Sequence, residues 1–162
     1  MTKDEQMQKT CCFTGHRLIP ADEYETVKLR LRETVIRAIS NGYRYFGTGG
    51  SWGFDMLAAQ TVLELKQLYP NIYLILVLPC KTQTKYWSDD NKKEYVRILH
   101  SADKVVWTSE EYTRDCMFKR NRHLVDNSSL CICYLTKDTG GTAFTVEYAF
   151  SKRLSIVNIS SL

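Results

Sequence analysis

None of the six cysteines is spaced as CxxC, and prolines and histidines number only three each. That cysteine spacing excludes the usual zinc ribbons and dithiol redox motifs. No apolar run approaches the roughly 18–20 residues of a membrane-spanning helix, so no membrane partner is expected. Internal repeats, low-complexity tracts and Pro/Gly/Ser-rich linkers are missing, which leaves no seam at which to divide the chain. The stretch from Met1 to Gln6 is polar and lacks the apolar core of an export signal, so a cytoplasmic location is expected. Neither sign of charge dominates. The 22 basic and 18 acidic residues give a net charge of +4, which permits a phosphorylated partner without demanding one.

What remains is a chain of 162 residues, 44% hydrophobic and 25% charged, enough for one domain with a sizeable core. Residues 1–9 read as a flexible lead and 10–162 as the domain. Cys11, Cys12, Cys131 and Cys133 fall in expected strands, and with Cys80 and Cys116 they read as buried reduced thiols. Zinc held by the first four fails on geometry, because adjacent cysteines point to opposite faces of a strand. Neither a metal nor a cofactor is expected.

Short apolar runs predict strands at Thr10–Thr14, Tyr43–Phe46, Ile72–Leu78, Lys104–Thr108, Leu130–Leu135 and Ser155–Ile159. Helical spacing recurs between them. Val27, Leu31, Val35 and Ala38 follow an Asp22–Glu25 capping box, and Phe54, Leu57, Ala58, Thr61 and Leu65 form a second stripe. Further helices are expected from Asp89 or Asp90 to about His100, from about Cys116 to Asn127, and from Thr142 to about Lys152. Trp107, on a strand, reads as core. The pattern predicts the α/β class: a single Rossmann-like domain, an open and mostly parallel sheet of about six strands with helices on both faces. Ligands of such sheets sit beyond the strands' carboxyl ends, near the reversal of strand order. The unusual clusters of this sequence fall at those ends: Gly15-His16-Arg17, Gly47 through Gly53, Pro79, and Thr139 through Thr142.

Two of these clusters are glycine turns. Thr139-Gly-Gly-Thr142 hands a strand to a helix, with Thr142 as the expected N-cap. Bare N–H groups of Gly140, Gly141 and Thr142 at the positive end of that helix suit a phosphate. The other turn, Gly47-Thr-Gly-Gly-Ser-Trp-Gly53, would offer Gly49, Gly50, Ser51 and Gly53 to the same ligand. Gly15, His16 and Arg17 end the first strand. Arg17 can reach an anion, and His16 can donate, exchange a proton or be tied to backbone. Arg120 offers a planar fork for phosphate and Asn121 a loop tie, though a charged helix face also reads as merely solvated. Asp55, in the first turn of a helix, either complements the dipole or holds a ribose hydroxyl. Trp52 and Trp87 could stack on a base or anchor their loops.

Thr14-Gly-His-Arg17, Gly47-Thr-Gly-Gly-Ser-Trp-Gly-Phe-Asp55, Arg120-Asn121 and Gly140-Gly-Thr142 together resemble the SLOG superfamily. This Rossmann-like lineage includes the DNA-processing protein DprA and the LOG cytokinin-activating hydrolases; the chain is most similar to its small stand-alone bacterial branch, typified by YpsA. The resemblance runs from Thr10 to Ile159. It implies a pocket for a nucleotide or nucleotide-derived ligand at the sheet's carboxyl edge, lined by Gly49, Gly50, Gly53, Asp55, Gly140, Gly141 and Thr142. DprA-like members use a similar region for single-stranded DNA, and LOG-like members cleave the N-glycosidic bond of nucleoside 5′-monophosphates. The LOG turn, Pro-Gly-Gly-x-Gly-Thr, is followed closely by a catalytic glutamate. Here the proline is missing and the nearest acid, Glu147, comes five residues after Thr142.

The expected function is therefore binding of an ADP-ribose-like or nucleoside phosphate compound by a sensor or regulator. One alternative is an N-glycosidase or phosphoribohydrolase with Glu147 or Asp55 as its acid. Another is single-stranded nucleic-acid binding along Lys81, Lys85, Lys92, Lys93, Arg120, Arg122, Lys137 and Arg153, with Trp52 or Trp87 as stacking platform. A homodimer through the helices fits a domain of this size, although no heptad marks an interface.

Overall fold

The computed structural model describes residues 1–161. Its strands are β1 (Thr10–Gly15), β2 (Tyr45–Thr48), β3 (Tyr73–Leu78), β4 (Lys104–Trp107), β5 (Leu130–Tyr134) and β6 (Ser155–Asn158). The helices are α1 (Lys3–Gln8), α2 (Tyr24–Ser40), α3 (Phe54–Lys66), α4 (Asp89–Ser101), α5 (Cys116–Asp126) and α6 (Gly141–Ser151), and a 3₁₀ turn follows at Ile159–Ser161. The strands form one six-stranded sheet in the order β4-β3-β2-β1-β5-β6, with every pairing parallel. This is the expected α/β Rossmann-like architecture.

The order follows from two directions of travel. From β1 to β4 the chain steps outward along one side, then crosses back to lay β5 against the free edge of β1. Right-handed crossovers in opposite directions place their helices on opposite faces. Val27 and Leu31 of α2, Leu57 and Val62 of α3 and Ile98 of α4 accordingly share one core, while Leu124 and Val125 of α5 and Ala149 of α6 build the other. Strand alternation serves both: Cys11, Phe13, Ile132 and Tyr134 enter the first core, and Cys12, Cys131 and Cys133 the second. All six cysteines are free and buried. Cys11 and Cys12 face opposite cores, so their side chains cannot share one metal.

Several local expectations are corrected. Within residues 1–9, Lys3–Gln8 form α1, a helix not expected from the sequence, which a reciprocal Thr2–Glu5 capping box starts. The Asp22–Glu25 box does not form; α2 begins after Glu23, which makes no side-chain cap bond. Ser88, not Asp89 or Asp90, caps α4, its hydroxyl accepting the Asn91 N–H at 3.2 Å. Thr142 lies inside α6, whose cap is Gly140. Strand β2 runs two residues beyond Phe46, into the glycine turn. Gly47 belongs there because α5 packs against it: a Cβ would stand 3.1 Å from the Leu124 side chain. Trp107 is 36% exposed on edge strand β4, not core. No helix among the described residues is long and apolar enough to cross a membrane.

The start of α3 is locked to the end of β1. Phe54 N–H donates to the His16 carbonyl at 3.2 Å, and Gly53, with φ of +87°, passes so close to Arg17 that a Cβ would lie 2.1 Å from its carbonyl oxygen. Gly53→Ala combines a disfavoured backbone angle with a backbone clash, and is expected to destabilise the fold by about 2–4 kcal/mol in urea unfolding.

Candidate functional site

The reversal of strand order leaves the carboxyl ends of β1 and β5 side by side. A hollow of about 710 Å³ opens there. Its walls come from the β1 end (Thr14 through Leu18), from Ser51 and Asp55, from Met117, Arg120 and Asn121 of α5, and from the segment between Tyr134 and Thr142.

Cross-ties hold the walls. His16 Nε2 accepts the Thr136 N–H at 2.9 Å, and its ring meets Tyr134 edge-on at 5.8 Å. Burial first, and then Lys137, push the His16 pKa below its ordinary value, and an Nε2 that accepts an N–H leaves the ring proton to Nδ1. Asn158 fixes the other side, its carboxamide both accepting from and donating to the Leu135 backbone at 3.2 and 3.0 Å. Tyr134 stacks on Phe54 and donates its hydroxyl to Glu23 at 3.1 Å.

Arg120 forms part of the floor. It is 4% exposed, and its guanidinium donates to the Gly49 carbonyl, to Asn121 Oδ1 at 2.7 Å and to the Met117 sulfur at 3.7 Å. Asp55 is also buried, and its carboxylate accepts the Ser51 N–H at 3.4 Å. Desolvation raises the Asp55 pKa to about 6 against the opposing pull of Arg120, the Ser51 N–H and Arg17. Burial likewise lowers that of Arg120. Near neutral pH Asp55 is therefore mostly ionised, at a cost. Arg17, exposed at the rim, lies over the Trp52 ring at 5.8 Å.

The second glycine turn is different in kind. Gly140 has φ of +99°, α6 has no side-chain cap, and neither Gly140 nor Gly141 has a neighbour within 4 Å of its Cβ position. The first-turn N–H groups of α6 have no acceptor within the helix, and Gly140, Gly141 and Thr142 line the hollow. Three cations, Arg17, Arg120 and Lys137, stand with two carboxylates, Asp55 and Glu23, along its walls.

Of the residues expected at the site, Gly15, His16, Arg17, Ser51, Asp55, Arg120, Asn121, Gly140, Gly141 and Thr142 line the hollow. Gly49, Gly50 and Gly53 do not: Gly49 lies against Arg120, Gly50 against Leu78, and Gly53 against Arg17. Glu147 is exposed on α6 and does not line the hollow. Trp52 and Trp87 pack against the core instead of lining the hollow, Trp87 edge-on to Tyr95 at 5.5 Å. Sequence reasoning missed Glu23, Tyr134 and Thr136. Tyr134 and Thr136 carried a signal, since both lie at the end of a predicted strand, beside the glycine turn.

The profile of the YspA SLOG family (YpsA) matches residues 15–157. The chain belongs to this family. Among relatives of this SLOG member is the uncharacterised SPbeta prophage-derived protein YoqJ of Bacillus subtilis, 31% identical over 139 residues, covering 75% of this chain and 81% of YoqJ. Another is UPF0398 protein BH1768 of Halalkalibacterium halodurans, 29% identical over 126 residues, covering 76% of this chain and 67% of that one. Among solved structures, DprA of Streptococcus pneumoniae superposes with a TM-score of 0.67 at 17% identity, covering 94% of this chain and 50% of DprA. DprA of Helicobacter pylori, solved for its single-stranded DNA binding mode, gives 0.66 at 16% identity, covering 95% and 66%. At such identities the likeness concerns the fold. The SLOG chain here spans half of the pneumococcal DprA.

Asp55 yields a pH prediction. Its folded pKa, about 6, lies above the ordinary 3.8, so the folded state binds the proton more tightly. Its stabilising contribution is complete below pH 3.8 and is lost as pH rises through about 6. Asp55→Asn is expected to remove that loss and to be more stable than wild type at pH 7.5 by about 1–3 kcal/mol. Urea unfolding at pH 4 and pH 7.5 checks both signs.

Proposed function

We propose that the chain binds a nucleotide-derived small molecule, of the nucleoside-phosphate or ADP-ribose kind, in the hollow at the ends of β1 and β5, as a sensor or regulator. What supports this most directly is the uncapped start of α6 opening into that hollow beside Arg17, Arg120 and Lys137. A phosphate there gains bare N–H donors, the positive end of a helix and nearby cations at once. The Asp55 carboxylate, kept charged in a buried position, is suited to accept hydroxyl protons from a ribose. A phosphate placed against Asp55 would be repelled, which orients the ligand with its phosphate toward α6.

Glu147 stands outside the hollow, which favours binding over glycosidic hydrolysis; an enzyme would have to use Asp55 or Glu23. The single-stranded DNA that DprA of Helicobacter pylori binds is compatible with a phosphate-bearing ligand class. An enclosing wall on several sides, however, suits a small molecule better than a continuing strand.

Thermal unfolding with AMP, ADP and ADP-ribose tests the proposal. A ligand at 100 times its Kd is expected to stabilise the protein by about 2.7 kcal/mol, or roughly 5–10 °C. No shift with any of them would overturn it. Gly141→Ala separates binding from folding. Nothing lies within 4 Å of its Cβ position, so stability should hold or rise by up to about 1 kcal/mol, as alanine favours helix. The added methyl at the anion's approach should weaken binding about tenfold. Unchanged affinity would remove α6 from the site.

A further inference from the structure

We propose a second nucleotide site at the carboxyl end of β4, separate from the hollow between β1 and β5. A cavity of about 420 Å³ opens there, lined by Lys81, Trp107, Thr108, Ser109, Glu110 and Lys119. None of these residues lines the main hollow. The two sites flank the same stretch of α5, with Lys119 facing this one and Arg120 and Asn121 the other.

The chemistry is that of a stacked base with a phosphate. Trp107 is 36% exposed at the edge of the sheet, and its ring face is accessible enough for the Lys81 ammonium to lie over it at 5.9 Å. A planar base has a stronger claim on that face than a solvated ammonium. Lys81, displaced from the ring, and Lys119 from the adjacent helix then supply positive charge for a phosphate. The platform is rigid. Both the N–H and the hydroxyl of Thr108 donate to the Leu78 carbonyl, at 3.0 and 3.2 Å, which fixes the end of β4 beside β3. Glu110, the one carboxylate in the cavity, can accept from an exocyclic amino group, so adenine or cytosine is favoured over uracil. The ligand is thus a nucleotide unit with an amino-bearing base, either free or within a single strand.

The test uses wild type, Trp107→Ala, and the double variant Lys81→Ala/Lys119→Ala, each checked by circular dichroism for native structure. The probes are AMP and fluorescently labelled single strands of 12 adenosines or 12 uridines, followed by tryptophan quenching and anisotropy. Trp107→Ala is expected to weaken binding of the adenosine strand about tenfold. The double variant, which keeps the ring, should weaken it too and flatten its salt dependence by roughly 0.7 in log–log slope per lysine. Thermal stabilisation by AMP at the main hollow should be unchanged in both variants. AMP quenching Trp107 as strongly per nucleotide as the strand does would assign free nucleotide; tighter strand binding would assign single-stranded nucleic acid. Wild-type affinity for both probes in the two variants would overturn the site, as would failure of wild type to bind either probe in low salt. Strand binding lost in the variants, with no stabilisation of wild type by AMP, ADP or ADP-ribose, would support this site and reject the other.

Discussion

A guanidinium buried without an ion-pair partner organises the floor of this protein's main hollow. Arg120 spends its donors on a carbonyl, an amide oxygen and a thioether, and no described carboxylate forms a salt bridge with it. The nearest compensation is long-range attraction to Asp55, itself buried. Burying an ion costs several kcal/mol even after relaxation, and weak pairing offsets only part of it. For Asp55 the balance is visible: attraction to Arg120 lowers its pKa, yet desolvation wins and leaves it near 6. The fold thus carries two charges that apolar residues could replace with a gain in stability. Charges kept at such a cost, in the lining of a hollow, are those a ligand can use.

The same guanidinium explains why two glycine turns of similar sequence end in opposite conditions. In the first, absent side chains make room for the protein's own groups. Arg120 occupies the space beside Gly49, Leu78 that beside Gly50, and the Arg17 backbone that beside Gly53. In the second, the space beside Gly140 and Gly141 is empty. One turn is a packing device that aims Ser51 and Asp55; the other exposes backbone donors. Strand order then does the rest, because laying β5 against β1 sets the aimed carboxylate and the bare amides on facing walls.

The sheet was legible in the sequence because its causes are local. Leu74, Leu76 and Leu78 on one face, with Ile75 and Val77 on the other, announce a strand covered on both faces, and helical spacing separates each strand from the next. Most of the site was legible for the same reason: residues at strand carboxyl ends must meet at one edge of a parallel sheet. What escaped depends on contacts between distant segments. Glu23 looked like part of a helix start, but the Tyr134 hydroxyl, 111 positions away, draws its carboxylate across the rim. Arg120 read equally well as solvated, since no pattern within α5 reveals that Gly49 will accept its proton. Trp107 read as core because strand apolarity does not say which strand forms the edge.

Whether the hollow binds or cleaves turns on how its carboxylates are engaged. Glycosidic cleavage requires one carboxyl group to stabilise positive charge at the ribosyl carbon and commonly a second to manage a proton or the water. Asp55 has a pKa suited to proton transfer near neutrality, but its carboxylate is held by the Ser51 N–H and faces the field of Arg120 and Arg17. Glu23, the other acid on the wall, already accepts the Tyr134 hydroxyl. His16 cannot serve as the base through Nε2, because that nitrogen accepts the Thr136 N–H and its displacement would untie β1 from the β5 loop. Asp55, Glu23 and His16 are thus also braces of the walls. A hollow whose acids and imidazole are tied up in its own frame is better suited to holding a ligand in place than to exchanging protons with it.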